Sequence, residues 1–251
     1  MGRLVKDVCI VSYDKSVDLF LLQIETLDKF LIKSNIHLVI NETDTSYFLE
    51  RTQERINKSL HNFKIYSRND IIGETSLSGW RSQQLIKLLM PLNEWFVFDD
   101  KDLFLKPIEF EEIKKRQYLN YMSEDMFVDF FENVKKILRC EYRIEHMPIN
   151  WTPNFFEKKV INFILVSFGG KDNLIKFFEK DTPAEFLLYN LAAKILCTDT
   201  CVRMKENYIK NIYTQEDYDN MTLNNTHILK CHNKVFVNNI DDLRRKLGYD
   251  R

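Results

Sequence analysis

The segment Trp95-Phe96-Val97-Phe98-Asp99-Asp100-Lys101-Asp102-Leu103-Phe104-Leu105-Lys106-Pro107 constrains the fold more than any other. Its four opening apolar residues fit a short strand buried on both faces, as in parallel sheets. The run stops at three carboxylates within four positions, and a second apolar triplet precedes a proline. In an open α/β sheet, ligands bind in the crevice outside the carboxyl ends of the strands, so acid gathered there marks the first place to look for chemistry. Carboxylates so close repel one another unless a positive group stands between them. Two readings follow. Asp99, Asp100 and Asp102 can hold a hard divalent cation, Mg²⁺ or Mn²⁺, that also grips phosphate oxygens. Alternatively they form an Asp-rich turn, bonding their own backbone while Lys101 neutralises part of the charge.

The chain before this segment supplies the sheet. Asp7-Val8-Cys9-Ile10-Val11-Ser12-Tyr13 reads as a buried strand, apolar residues from Leu19 to Leu31 recur at helical spacing, and Ile36-His37-Leu38-Val39-Ile40-Asn41 reads as a second strand. Strand, helix and strand in about forty residues make a βαβ unit, and hence parallel pairing. A helix over 47–60 and a strand at Phe63-Lys64-Ile65-Tyr66 extend the pattern. A further helix runs from Ser78, a candidate N-cap, to the stop at Pro91. Trp80, Gln84, Lys87 and Leu88 share one face of it, while Leu85, Ile86 and Leu89 supply packing. The polar members are either a solvated surface, which the sequence alone favours, or a ligand-facing set.

Beyond Pro107 the chain is charged and irregular to about residue 150, apart from a helix over 124–138. Trp151-Thr152-Pro153 marks a turn, and helices are predicted over 155–168 and 173–180, separated by Gly169-Gly170. Thr182 and Pro183 suit the cap and first position of another helix, placing Glu185 in its first turn. A carboxylate there ordinarily completes a capping box or complements the helix dipole. Strand character returns at 227–232 and 234–237, before a basic helix through Arg244-Arg245-Lys246. The whole predicts one α/β domain: a mixed, mostly parallel sheet flanked by helices, with the second half helix-rich.

A formal charge of −1 gives no global field to recruit nucleic acid or an anionic membrane. Five scattered cysteines do not resemble a disulfide framework, and Cys197 and Cys201 lack the second close pair of a zinc site. No signal-peptide core or run of about 20 apolar residues is present, so a cytoplasmic protein without an integral membrane segment is expected. Neither a Gly-rich phosphate loop, a Gly-x-Ser-x-Gly elbow nor an HExxH cluster occurs. His232 is by default a packed or surface histidine, with a lone ligand as the alternative.

Three blocks in fixed order, Gly79-Trp80-Arg81-Ser82-Gln83-Gln84-Leu85-Ile86-Lys87-Leu88, Phe98-Asp99-Asp100-Lys101-Asp102-Leu103-Phe104-Leu105-Lys106-Pro107 and Thr182-Pro183-Ala184-Glu185-Phe186-Leu187-Leu188-Tyr189, with Trp151-Thr152-Pro153-Asn154 as a weaker fourth, resemble the GT-A type of nucleotide-sugar glycosyltransferase. More narrowly, the chain resembles a bacterial and phage family of glycosyltransferase-like proteins of unknown function. The resemblance implies a Rossmann-like GT-A domain with a nucleotide-binding half at 1–110 and a helical acceptor half at 111–251. It implies an Asp-x-Asp type motif holding Mn²⁺ or Mg²⁺ on the donor diphosphate. Asp100-x-Asp102 keeps the usual spacing, with Asp99 as an alternative first position and Lys101 as an alternative phosphate contact. By the same resemblance Asp99, Asp100 and Asp102 are the metal set, Asp102 and Glu185 the catalytic carboxylates, and Glu185 the base or acceptor-binding group. Ser12, Tyr13 and Asp14 fall at the nucleotide end, and Trp80, Gln83, Gln84 and Lys87 line the cleft. The implied activity is metal-dependent transfer of a sugar from a nucleotide-sugar to a glycan or other hydroxyl acceptor. A non-catalytic sugar- or protein-binding module on the same scaffold is the alternative, and a related nucleotidyl or phosphoryl transferase a third.

Overall fold

A computed structural model describes residues 5–77, 79–115, 117–121, 127–150, 152–180, 184–196, 198, 202–203, 209–224, 226–231 and 240–249, with backbone alone at 117–121, 148–150 and 202–203. Ser78, Trp151, Thr182, Pro183, Cys197, Cys201, His232 and the strand expected at 234–237 lie outside them.

The elements in order are β1 (Asp7–Ser12), α1 (Val17–Phe30), β2 (Asn35–Ile40), α2 (Ser46–Lys58), β3 (Asn62–Ser67), α3 (Arg68–Ile72), α4 (Gly79–Leu89), β4 (Glu94–Asp99) and β5 (Asp102–Phe104). There follow α5 (Phe110–Lys114), β6 (Gln117–Tyr121), α6 (Val128–Leu138), β7 (Pro148–Asn150), β8 (Asn154–Glu157), α7 (Lys158–Ser167), α8 (Lys171–Lys180) and α9 (Glu185–Ile195). The last are β9 (Val202–Arg203), β10 (Ile209–Ile212), α10 (Gln215–Asp219), β11 (Ile228–Cys231) and α11 (Ile240–Lys246).

The main sheet has the order β3-β2-β1-β4-β8, parallel except for antiparallel β8. Alternation along the strands sends Val8, Ile10, Phe96 and Phe98 into a core with α1 and α2, and Cys9, Val11, Trp95 and Val97 into a second core with α4 and α6 to α9. A small sheet, β10-β11-β5, continues directly from the acidic turn, and a third joins β7, β6 and β9. No helix among the described residues is long and apolar enough to cross a membrane.

The helix expected over 155–168 begins later than the sequence suggested, because 154–157 pair with β4 as a strand. The reason is the adjacent pair Phe155 and Phe156. Phe155 packs on Phe96 with ring centroids 5.0 Å apart, while Phe156 meets Trp95 at 5.8 Å and stacks on Tyr189 at 4.3 Å, on the opposite face. Neighbouring residues point to opposite faces only in a strand, and burying two phenylalanines in two cores is worth about 1.5–3 kcal/mol each. Of the helix expected over 124–138, the described part runs from Val128.

Candidate active site

The strand register assembles the acidic turn. β1 and β4 lie side by side and parallel with Val11 opposite Asp99, so Ser12 and Asp100 come next to each other at the carboxyl ends of the two strands. Ser12 Oγ donates to Asp100 Oδ2 at 3.0 Å. Asp102 Oδ2 accepts from the Asp99 N–H at 2.8 Å, closing the turn as an Asp-rich sequence should. From α1, Gln23 Nε2 donates to the carbonyls of Asp99 at 2.5 Å and Asp102 at 3.0 Å, bracing the turn from below. Gln23 carried no signal in the sequence beyond an amide inside an apolar helix stripe.

Helix α4 brings its polar face to this turn. Lys87 Nζ lies 2.8 Å from Asp99 Oδ1 and 3.1 Å from Glu185 Oε1, joining the end of β4 to the first residue of α9. One turn earlier, with its amide turned the way that satisfies both neighbours, Gln84 donates to the Glu185 carboxylate and accepts from Trp80 Nε1 at 2.7 Å. Lys87 and Gln84 are only 3% and 4% exposed, against the solvated face the sequence alone favoured, and Trp80 is the open end of the row at 47%. Gln83 faces elsewhere, its amide reaching the Val11 carbonyl at 3.5 Å and helping to seat α4 on β1. Glu185 is not a capping-box residue: Ala184 takes the cap position without a side-chain hydrogen bond, and the carboxylate is turned to Lys87 and Gln84.

A further cation arrives from the far end of the chain. In the antiparallel pairing of β11 with β5, Lys230 stands opposite Asp102, and the Cys231 N–H donates to the Lys101 carbonyl at 3.2 Å. Lys230 Nζ is 2.7 Å from Asp99 Oδ2 and 3.5 Å from Asp102 Oδ1, and it also donates to Thr152 Oγ1. The sequence reading passed over this residue. Its signal is a lysine in the middle of an otherwise apolar strand, Ile228-Leu229-Lys230-Cys231.

Burial and pairing set opposite charge preferences within a few ångströms. Burial works against ionised Asp99, but Lys230, Lys87 and Lys101 outweigh it and hold that carboxyl well below the usual carboxylate range. For Asp100 burial wins, pushing its pKa up to about 6 against the pull of Lys101. Burial also raises Asp102 and Glu185, opposed by Lys230 and Lys87 respectively. Burial likewise opposes the charge on each lysine, yet Asp99 and Glu185 raise Lys87, and Asp102 and Asp99 raise Lys230. Groups whose surroundings drive their pKa values apart in one crevice are a mark of functional sites.

The remaining candidates frame the cluster. Tyr13 and Asp14 follow β1, with the Ser16 N–H donating to the Tyr13 carbonyl at 2.8 Å. Asp14 lies against Glu42 just beyond β2, where burial and then the Asp14 charge raise the Glu42 pKa. Lys101 sits half-buried at the tip of the turn.

As arranged, the carboxylates do not fit a resident divalent cation. Asp99 spends both oxygens on ammonium groups, Asp102 gives one oxygen to the Asp99 N–H and faces Lys230 with the other, and Asp100 accepts from Ser12 with one oxygen, which among the described residues leaves its Oδ1 as the one unengaged oxygen of the three aspartates. Among the described residues, no three His, Cys, Asp and Glu side chains gather as a metal site.

Comparison with known proteins bears on the family and the fold. A model of a family of unknown function, DUF6492, matches residues 11–242. No curated protein matches. Among solved structures the chain is similar to the bifunctional glycosyltransferase WbbM in its apo form, with TM-score 0.55 and 10% identity over 90% of this chain. It spans only 45% of the WbbM chain. It is also similar to the galactosyltransferase LgtC in complex with donor and acceptor sugar analogues, with TM-score 0.52 and 8% identity over 96% of this chain and 95% of that one. The strand order, the helices on both faces and these matches agree: the chain belongs to DUF6492 and has a GT-A glycosyltransferase-type fold.

Proposed function

We propose that this protein transfers a sugar from a nucleotide-sugar donor to a hydroxyl-bearing acceptor such as a glycan. One observation carries the reading. At the carboxyl ends of β1 and β4, Asp99, Asp100, Asp102 and Glu185 are gathered with Lys87 and Lys230, with Asp100, Asp102, Glu185 and Lys87 buried and Asp99 and Lys230 partly open. Such a concentration is costly to bury and lies where open α/β sheets take their ligands.

Glycosyl transfer breaks the bond between the anomeric carbon and the donor phosphate oxygen and forms one from that carbon to the acceptor oxygen. The departing nucleoside diphosphate takes the electron pair, and the acceptor loses its proton to a base. Preorganised positive charge at the leaving phosphate and a carboxylate near the acceptor meet these demands. In this reading Ser12, Tyr13 and Asp14 border the nucleotide, which is bound mainly by the half at 1–110. Trp80, Gln84 and Glu185 face the transferred sugar and the acceptor, with Glu185 as base. Burial, which raises its pKa, strengthens it for that role, and Lys87 and Gln84 hold it in place. Lys101 is within reach of phosphate as the tip of the turn.

Thermal melting of the full chain with UDP-, GDP- and CMP-sugars tests the reading, since a ligand at 100 times its Kd adds about 2.7 kcal/mol of stability. One nucleotide family stabilises the protein, and Glu185→Gln keeps that response while losing transfer. Indifference to every nucleotide sugar would leave only a binding module on a GT-A scaffold. Transfer by Glu185→Gln at the wild-type rate would remove Glu185 from the chemistry.

A further inference from the structure

We propose that Lys230 is the built-in cation of the donor site: its ammonium lies against both Asp99 and Asp102, so this chain grips a nucleoside diphosphate without a metal. The inference rests on the transferase reading above and goes beyond it.

Several features set Lys230 apart from an ordinary ion pair. It is fixed by backbone pairing, opposite Asp102 in the β11–β5 ladder, with the following N–H bonded to the tip of the acidic turn. It meets two carboxylates instead of one, at 2.7 Å and 3.5 Å. The longer contact exceeds a good hydrogen bond, so one of the three ammonium N–H groups is lightly held and can turn to a phosphate oxygen. Its side chain also keeps 15% of its surface open, as does that of Asp99, whereas Lys87 keeps 3%, Glu185 5% and Asp102 none. Lys87 is thus the internal counter-ion of the cluster, and Lys230 is the positive group that an incoming anion meets.

The charge balance points the same way. A phosphate cannot approach buried aspartates unless a cation intervenes. A divalent ion bridging Asp99 and Asp102 would have to evict the ammonium from a place that the strand ladder assigns to it. A lysine serves a phosphate as a compact point charge, stabilising negative charge on the leaving oxygen with no proton transfer required.

Calorimetric titration of the full chain, dialysed against EDTA, with UDP, GDP, ADP, CDP and dTDP separates the outcomes. One of them binds with the same Kd, within about twofold, in EDTA and in excess MnCl₂, and Mn²⁺ added to the wild type stays free by its EPR signal. Lys230→Met weakens that nucleotide about tenfold or more, the size of a lost charge-assisted contact, and Lys230→Arg retains most of it. Lys230→His, neutral at pH 8 and a metal ligand, makes binding depend on Mn²⁺. If the wild type binds a nucleotide only with Mn²⁺, Lys230 is not the cation and the transferase reading stands. If none binds in either buffer, both readings fall. Should Lys230→Met fail to fold, the wild-type comparison and Lys230→Arg still decide.

Discussion

Two groups of charge, one partly buried and one largely buried, lie toward opposite ends of the main sheet, and they are built differently. Near the amino ends of the strands, Asp28 of α1 accepts from Arg55 of α2 at 2.6 Å, from Ser59 Oγ at 2.6 Å and from the Leu60 N–H at 2.9 Å. One carboxylate, one guanidinium and two neutral donors meet there, with His61 Nε2 3.8 Å from the same carboxylate, and the result pins a helix pair to the approach to β3. At the carboxyl ends, two lysines are shared among several carboxylates, and Asp100 Oδ1 is buried with no hydrogen-bond partner among the described residues. A group that only holds the fold together tends toward the first pattern, because each unsatisfied buried polar atom costs about 1–3 kcal/mol. The second shares its two ammonium groups among several carboxylates and keeps Lys230 and Asp99 15% open, as expected where a ligand completes the arrangement.

The sharpest way to break this contrast is to remove the shared counter-ion. Lys87→Met leaves Glu185 without its ammonium and Asp99 with only Lys230, so urea unfolding should show a loss of about 3–5 kcal/mol. Adding Glu185→Gln should recover part of that loss, since the stranded charge goes with it. Additive effects of the two substitutions would mean that Lys87 and Glu185 are not coupled, and the cluster would then be no different in kind from the Asp28 clamp.

Asp100 offers a test by pH. Its folded pKa of about 6 lies above its ordinary value of 3.8, so between those values the native state holds a proton that the unfolded chain has released. Stability contributed by this group is therefore full below about pH 4 and falls as pH rises through 6, by about 3 kcal/mol for the whole shift. The difference in unfolding free energy between wild type and Asp100→Asn should trace that slope. A flat difference between pH 4 and 7 would show that the Ser12 side of the turn is better hydrated than its burial indicates.

Much of the frame could be read directly from the chain. β1, β2 and β4 announce themselves as apolar runs, α4 by its stop at Pro91, and the parallel sheet by the spacing of strand, helix and strand. The Asp-rich stop falls at the carboxyl end of β4, and Trp80, Gln84 and Lys87 share one face of α4 as the spacing predicts. The burial of Gln84 and Lys87 was not legible, because Lys87 and Glu185 are 98 residues apart and only the packing of α9 on α4 joins them. The same holds for Lys230, whose importance depends on β11 pairing antiparallel to β5 in the register that sets it opposite Asp102. Local signals favoured a surface face and a helix cap, and long-range contacts overrode both. β8 was hidden for a related reason: two phenylalanines ahead of a helical pattern look like its first turn until the two cores that receive them are known.

The smallest effect sharpens the comparison from its other side. Asp28→Ala removes one charged and two neutral hydrogen bonds from a pair whose side chains are 14% and 26% exposed, so it should cost about 1.5–3 kcal/mol in urea unfolding. Nucleotide affinity should not change, because α1 reaches the acidic turn through Gln23, more than one helical turn before Asp28. A clamp that only holds α1 against α2 loses stability and nothing else. If Asp28→Ala instead weakens nucleotide binding as strongly as it weakens the fold, α1 transmits strain to the turn through Gln23, and the two ends of the sheet are a single coupled device.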